Sequence, residues 1–123
     1  MRVSASILTV LPMALLALAG KERHFHKCKC NVWDAEPGWR DDFNLSQYTC
    51  HMSYPGRASF DVASQTCVTL AGEWFPGGQW KANCKYWAEQ GYWPYKDGYV
   101  DDSAKDPLKH NDAVTGDCAV HDY

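Results

Sequence analysis

The chain has 123 residues, 46% of them hydrophobic, with 12 basic and 15 acidic side chains and a formal charge of -3. That length holds one domain rather than two. The mild acidic excess argues against a nucleic-acid binder, which needs a concentrated basic face.

Residues 1–19 read as a secretory signal peptide. Arg2 precedes an apolar run over 7–18, and the small triplet Ala17-Leu18-Ala19 sets cleavage after Ala19. The run is too short to span a bilayer and no stop-transfer flank follows it, so stable membrane insertion is not expected. The expected mature protein is therefore secreted and extracellular, a single domain over 20–123. Loss of Arg2 leaves 11 basic against 15 acidic side chains, a charge of -4. All six cysteines, Cys28, Cys30, Cys50, Cys67, Cys84 and Cys118, lie in that part. An even count in an oxidising compartment predicts three disulfides, with fifteen pairings open. Cys28 and Cys30 sit too close to bridge each other easily and must reach two different elements. Cys118 ties down the C-terminus. No paired Cys-x2-Cys spacing exists, so neither a metal nor another cofactor is expected.

Residues 20–27 are charged and lack an apolar period, which predicts a flexible leader. His24 and His26 within it offer a weak transition-metal pair and read as ordinary leader residues. Residues 27–33 alternate as a strand, with Cys28, Cys30 and Val32 on one side and Lys29 and Asn31 on the other. Pro37-Gly38 marks a turn. A second strand is predicted over 48–52, broken by Pro55-Gly56. Over 59–71, Phe60, Ala63, Cys67 and Leu70 recur at helical spacing behind a possible Ser59 cap, and predict a helix; the competing reading is a strand over 66–70, where β-branched residues collect. Trp80, Cys84 and Trp87 predict a helix over 79–90, ended by Gly91. Pro94 keeps Trp93 extended. The polar run to Thr115 reads as a long loop or loosely ordered tail, and Ala119-Val120 as an edge strand.

Asn44-Leu45-Ser46 is an N-glycosylation sequon. Six tryptophans and seven tyrosines are dense for this length, and flat rings serve sugar stacking or protein interfaces as well as a core. The candidate binding patch is Trp87, Tyr92, Trp93, Tyr95 and Tyr99, rimmed by Lys96, Asp97 and Asp101. Trp93→Ala is expected to weaken target binding and leave the melting temperature nearly unchanged. The spacing of Asp97, Asp101, Asp102 and Asp106 misses the calcium-loop pattern. A catalytic trio such as Glu73, His51 and Arg57 has no spacing to support it, and no nucleophile, zincin or phosphate-loop motif occurs. An enzyme is not the favoured reading, and no catalytic residue is assigned.

The signal peptide, the early Cys28-x-Cys30, Cys67 in the 59–71 segment and Cys84 after Gly77-Gly78 make the chain resemble the small cysteine-rich secreted proteins of filamentous fungi, including effectors of plant-associated species. The resemblance is one of format. It implies a compact fold that binds host or competitor molecules, protein or glycan, often without catalysis. The expected fold is α+β, with one or two short helices on a mainly antiparallel sheet, braced by disulfides. The leading function is a non-catalytic, effector-like virulence protein that binds an extracellular or host target through an aromatic surface. The alternatives are an antimicrobial or toxin-like protein, a secreted hydrolase acting on RNA or glycan, and a carbohydrate-binding module.

Overall fold

A computed structural model describes residues 24–119. The predicted signal peptide, leader residues 20–23 and Val120 lie outside the described residues. In chain order the elements are β1 (His24–Phe25), β2 (Lys27–Asp34), β3 (Gly38–Asp41), α1 (Phe43–Ser53), β4 (Ala58–Asp61), β5 (Thr66–Thr69), β6 (Phe75–Pro76), α2 (Gly77–Gln90), β7 (Tyr95–Lys96), β8 (Tyr99–Val100) and β9 (Val114–Ala119). This is the expected α+β domain: two helices packed on an antiparallel sheet, with three disulfides.

The centre is β2. Strand β9 pairs along one edge of it, from Lys27↔Ala119 to Val32↔Val114. The other edge is divided: β3 takes residues 31–34, and β5, carrying β4 beyond it, takes Lys27 and Cys28. Alternation along β2 puts Cys28, Cys30 and Val32 into the core. Both helices pack on that side, α1 against β2, β4 and β5, and α2 against β9 and β2. The disulfides sew the same side together. Cys28–Cys118 crosses from β2 to β9, Cys30–Cys84 ties β2 to α2, and Cys50–Cys67 ties α1 to β5. Cys28 and Cys30 thus reach two different elements, as expected.

Helix α2 begins two residues before its predicted start, at Gly77, and ends at the predicted Gln90. Trp80, Cys84 and Ala88 face the core one turn apart, and Gly91 is the C-cap. Trp80 is fully buried among Tyr54 and Phe75, and its indole Nε1 donates to the Lys29 carbonyl at 2.9 Å. Gly116 on β9 makes room for it: a Cβ there would stand 2.5 Å from Trp80 Cδ1.

Three local expectations are corrected. Residues 48–52 belong to helix α1, not to a strand. Asp42 caps that helix by accepting from the Leu45 amide at 3.0 Å, and Leu45 through Cys50 are all buried, so no polar stripe shows in the sequence. The segment 59–71 is the β4–β5 hairpin, not a helix. Phe60 and Cys67 pair across it towards the core, while Ala63 lies in the exposed turn. Residues 24–27 are not a free leader. Phe25 pairs with Phe75, the His24 ring stacks on Trp74 at 3.5 Å, and His26 Nδ1 lies 2.9 Å from Thr69 Oγ1. The acidic tail is also held: Tyr92 and Leu108 exchange backbone hydrogen bonds of 2.9 Å, and the His110 amide donates to Ala88.

Candidate functional site

The five aromatics proposed from the sequence do not form one exposed patch. Tyr92 is only 4% exposed and is a core residue, a correction to its surface assignment. Its hydroxyl donates to Asp42 Oδ2 at 2.8 Å, so the same carboxylate caps α1 and satisfies a buried phenol. Burial and the Asp42 charge push the Tyr92 hydroxyl far above its ordinary pKa. Trp87, Trp93 and Tyr95 are half-buried against the core. The Trp87 indole donates to Ser53 Oγ at 2.8 Å and meets Tyr48 and Tyr86 edge-on, while Tyr95 packs on Tyr48 and His51. Of the five, Tyr99 alone is well exposed, at 78%. It stands beside the tight Asp97-Gly98 turn of the β7–β8 hairpin, where both residues take positive φ, as a type I′ turn requires.

The face of the sheet turned away from the helices presents a different aromatic site. The odd-numbered side chains of β2 point there, joined by Trp39 and Asp41 of β3 and by Thr115 and Asp117 of β9. None of them is buried, and among the described residues no helix packs on this face. Trp33 and Trp39 are 40% and 54% exposed and sit directly opposite each other. The Trp33 amide donates to Ala113 on the β9 side, so Trp33↔Trp39 is a non-hydrogen-bonded pair, the arrangement that brings facing side chains closest. The next pair on the same face is Asn31↔Asp41. There Asn31 Nδ2 donates to Asp41 Oδ1 at 2.5 Å, and Lys29 Nζ donates to Asp41 Oδ2 at 3.0 Å. Beyond it Lys29 faces Asp117. A depression of about 380 Å³ is lined by Asn31, Trp39, Thr115, Gly116 and Asp117. A second, of about 200 Å³, continues past Lys29 and Asp117 to Lys27 and Thr66. Sequence reasoning passed over this pair, although the signal was present: a strand alternation that turns Trp33 outward, and a turn at Pro37-Gly38 that folds Trp39 back beside it.

The acid–base candidates have structural partners. Arg57 Nε and Glu73 Oε1 form an exposed ion pair at 2.8 Å, but His51 of the same sequence trio packs on Tyr95 instead. Asp34 accepts from Arg40 Nε at 2.6 Å and pairs with His110 Nε2 at 3.0 Å, and these bonds hold its carboxyl below the usual range. His110 has its Nε2 on Asp34 and its Nδ1 buried. Among the described residues no group of three or more His, Cys, Asp or Glu side chains is placed to hold a metal ion. None of their helices is long and apolar enough to cross a membrane.

Asn44 of the sequon is half-buried in the first turn of α1. Ser46 has a structural role of its own. Its buried hydroxyl accepts from the Cys30 amide at 2.7 Å, locking α1 to the centre of β2. The residue types of the sequon therefore have a reason to be present apart from glycosylation.

Comparison of the chain with protein-family models, with curated proteins and with solved structures finds no match in any of the three.

Proposed function

We propose that this is an exported, effector-like recognition protein of the fungal cysteine-rich format, non-catalytic, which engages an extracellular or host target through the helix-free face of its sheet. The observation that carries the reading is the Trp33–Trp39 pair. Two large aromatic side chains are held open on a rigid strand pair while the rest of the core is roofed by helices. Tryptophan in such a position supplies a large contact area at little cost in side-chain entropy. The site moves from the segment 87–99 to β2 and β3, because Tyr92 is buried and Trp87, Trp93 and Tyr95 are packed against the core.

The test is retention of fluorescently labelled, folded protein on intact plant tissue and on fungal cell surfaces, comparing the native chain with W33A/W39A. Retention on one of these surfaces, lost in the variant while it remains fully folded at the assay temperature, supports the reading. Equal retention of both proteins, or retention of neither, refutes it.

A further inference from the structure

We propose that the helix-free face of the sheet is a binding track for an uncharged oligosaccharide. The proposal rests on the recognition reading above and names the ligand class of that same site. Trp33 and Trp39 open one end; Asn31, Asp41 and Thr115 follow; then Lys29 with Asp117; then Lys27 between Val68 and Ala119, with Thr66 lining the same depression. From Trp33 to Lys27 is six strand residues, about 20 Å. The two depressions share Asp117 and lie end to end along this line, so the track suits a chain of several units rather than one small molecule.

Its chemistry selects the class. The face of an indole carries the negative side of the ring quadrupole. A pyranose ring offers it a flat set of C–H groups made slightly positive by the neighbouring oxygens. Beside the rings lies a fixed amide–carboxylate pair. The Asp41 carboxylate is held by both Asn31 and Lys29, so it does not have to be reoriented when a hydroxyl arrives. Amide and carboxylate groups both bond well to adjacent hydroxyls. Charge along the track balances, with Lys27 and Lys29 against Asp41 and Asp117, so it has neither the basic excess that would recruit a polyanion nor the acidic excess that would recruit a cationic peptide. Nor does it suit a protein partner well. Its middle carries Lys29, Asp41 and Asp117, with apolar residues only at the two ends, Trp33 and Trp39 at one and Val68 and Ala119 at the other, whereas the core of a protein interface is depleted of charge.

The experiment is calorimetric titration of the folded, disulfide-bonded protein with chitohexaose, cellohexaose, laminarihexaose, xylohexaose and mannohexaose, with a heparin oligosaccharide as the charged control. Saturable binding of at least one neutral hexaose is expected, with heparin bound at least tenfold more weakly. W39A should weaken that binding roughly tenfold or more and N31A several-fold, each in protein that circular dichroism shows to be fully folded at the titration temperature. W39Y, which keeps a stacking ring, should recover most of the affinity, and Y99A should bind as the native protein does. The affinity should change less than about twofold between low and high salt, because no net charge is neutralised. If no neutral hexaose binds, or if W33A and W39A bind as well as the native chain, the glycan assignment is overturned. In that case, loss of tissue retention by W33A/W39A would still place a non-glycan target on this face, so failure of the ligand class and failure of the recognition face are told apart.

Discussion

Replacing Gly116 with alanine tests the packing on which the helix-free face rests. Gly116 has an ordinary backbone conformation, and only space explains it. An added Cβ would stand 2.5 Å from Trp80 Cδ1, 3.0 Å from Nε1 and 3.1 Å from the Lys81 Cα. Trp80 has no room to retreat, being fully buried against Tyr54 and Phe75, with ring centroids at 5.9 and 5.3 Å. Overpacking of this kind costs about 1–3 kcal/mol. If the indole shifts, its bond to the Lys29 carbonyl is lost, for about 1 kcal/mol more. For a domain of this size, a total of about 2–4 kcal/mol lowers the melting temperature by roughly 10–25 °C. Thermal unfolding of the oxidised protein followed by circular dichroism reads this directly. W80F/G116A provides the internal check. The smaller ring vacates the volume the new methyl needs, so the double variant should be at least about 1 kcal/mol more stable than the two single effects added together. A G116A melting temperature within about 3 °C of the native value, or strict additivity with W80F, would refute the reasoning.

Ser46→Ala removes the acceptor of the buried Cys30 amide and should cost about 1–3 kcal/mol in unglycosylated protein, measured by urea unfolding; N44Q, which also destroys the sequon, should stay within about 0.5 kcal/mol. Trp93→Ala, against the expectation from the sequence, should lower stability by about 1–3 kcal/mol, below the range for a fully buried tryptophan because Trp93 is only half-buried against the core; an unchanged melting temperature would return it to the surface. Burial raises the hydroxyl pKa of Tyr54 and of Tyr92, where the Asp42 charge adds to it. The unfolded chain ionises these phenols near pH 10 and the folded chain only above that. Their contribution is thus fully present below about pH 10 and is lost as pH climbs towards the folded values, so the urea midpoint should fall as the pH rises from about 10 to 11.5. A flat midpoint over that range would refute this reading. W33A/W39A should cost no more than about 1–2 kcal/mol, the scale of a cross-strand aromatic pair and its partial burial; a loss comparable with that of a disulfide would make the tryptophans core residues.

Period and punctuation revealed the elements that bury one face and keep the other wet. Strand β2 alternates visibly because Lys29 and Asn31 meet solvent while Cys28 and Cys30 do not. Helix α2 shows Trp80, Cys84 and Trp87 at turn spacing because only one side of it is roofed. Helix α1 defeated the same method because the sheet, α2 and β7 all pack against it, and six consecutive buried residues carry no period. The β4–β5 hairpin misled for the opposite reason. Phe60, Ala63, Cys67 and Leu70 match helical spacing by coincidence, but Ala63 and Leu70 are exposed, and the β-branched Thr66, Val68 and Thr69 decide the conformation. At the site, Tyr92 was misassigned because its partner, Asp42, lies fifty residues away in sequence.

The placement of the disulfides bears on the role proposed for the exposed pair. Each bridge involves a core-facing position of the sheet, and each constrains the unfolded chain by roughly 3–5 kcal/mol on loop-entropy grounds, with closed separations of 17, 54 and 90 residues. Together with the Tyr54–Phe75–Trp80 cluster they concentrate the packing on one side of the sheet. The other side is thereby released from packing duty, and residues there can be chosen for what they touch outside the molecule. A structural tryptophan would be expected under a helix; Trp33 and Trp39 lie instead on the side that the bridges and helices leave open. Trp80 links the two sides through one atom pair, holding the Lys29 carbonyl from below while Lys29 steadies Asp41 from above. The braced core therefore sets the geometry of the helix-free face without contributing a side chain to it.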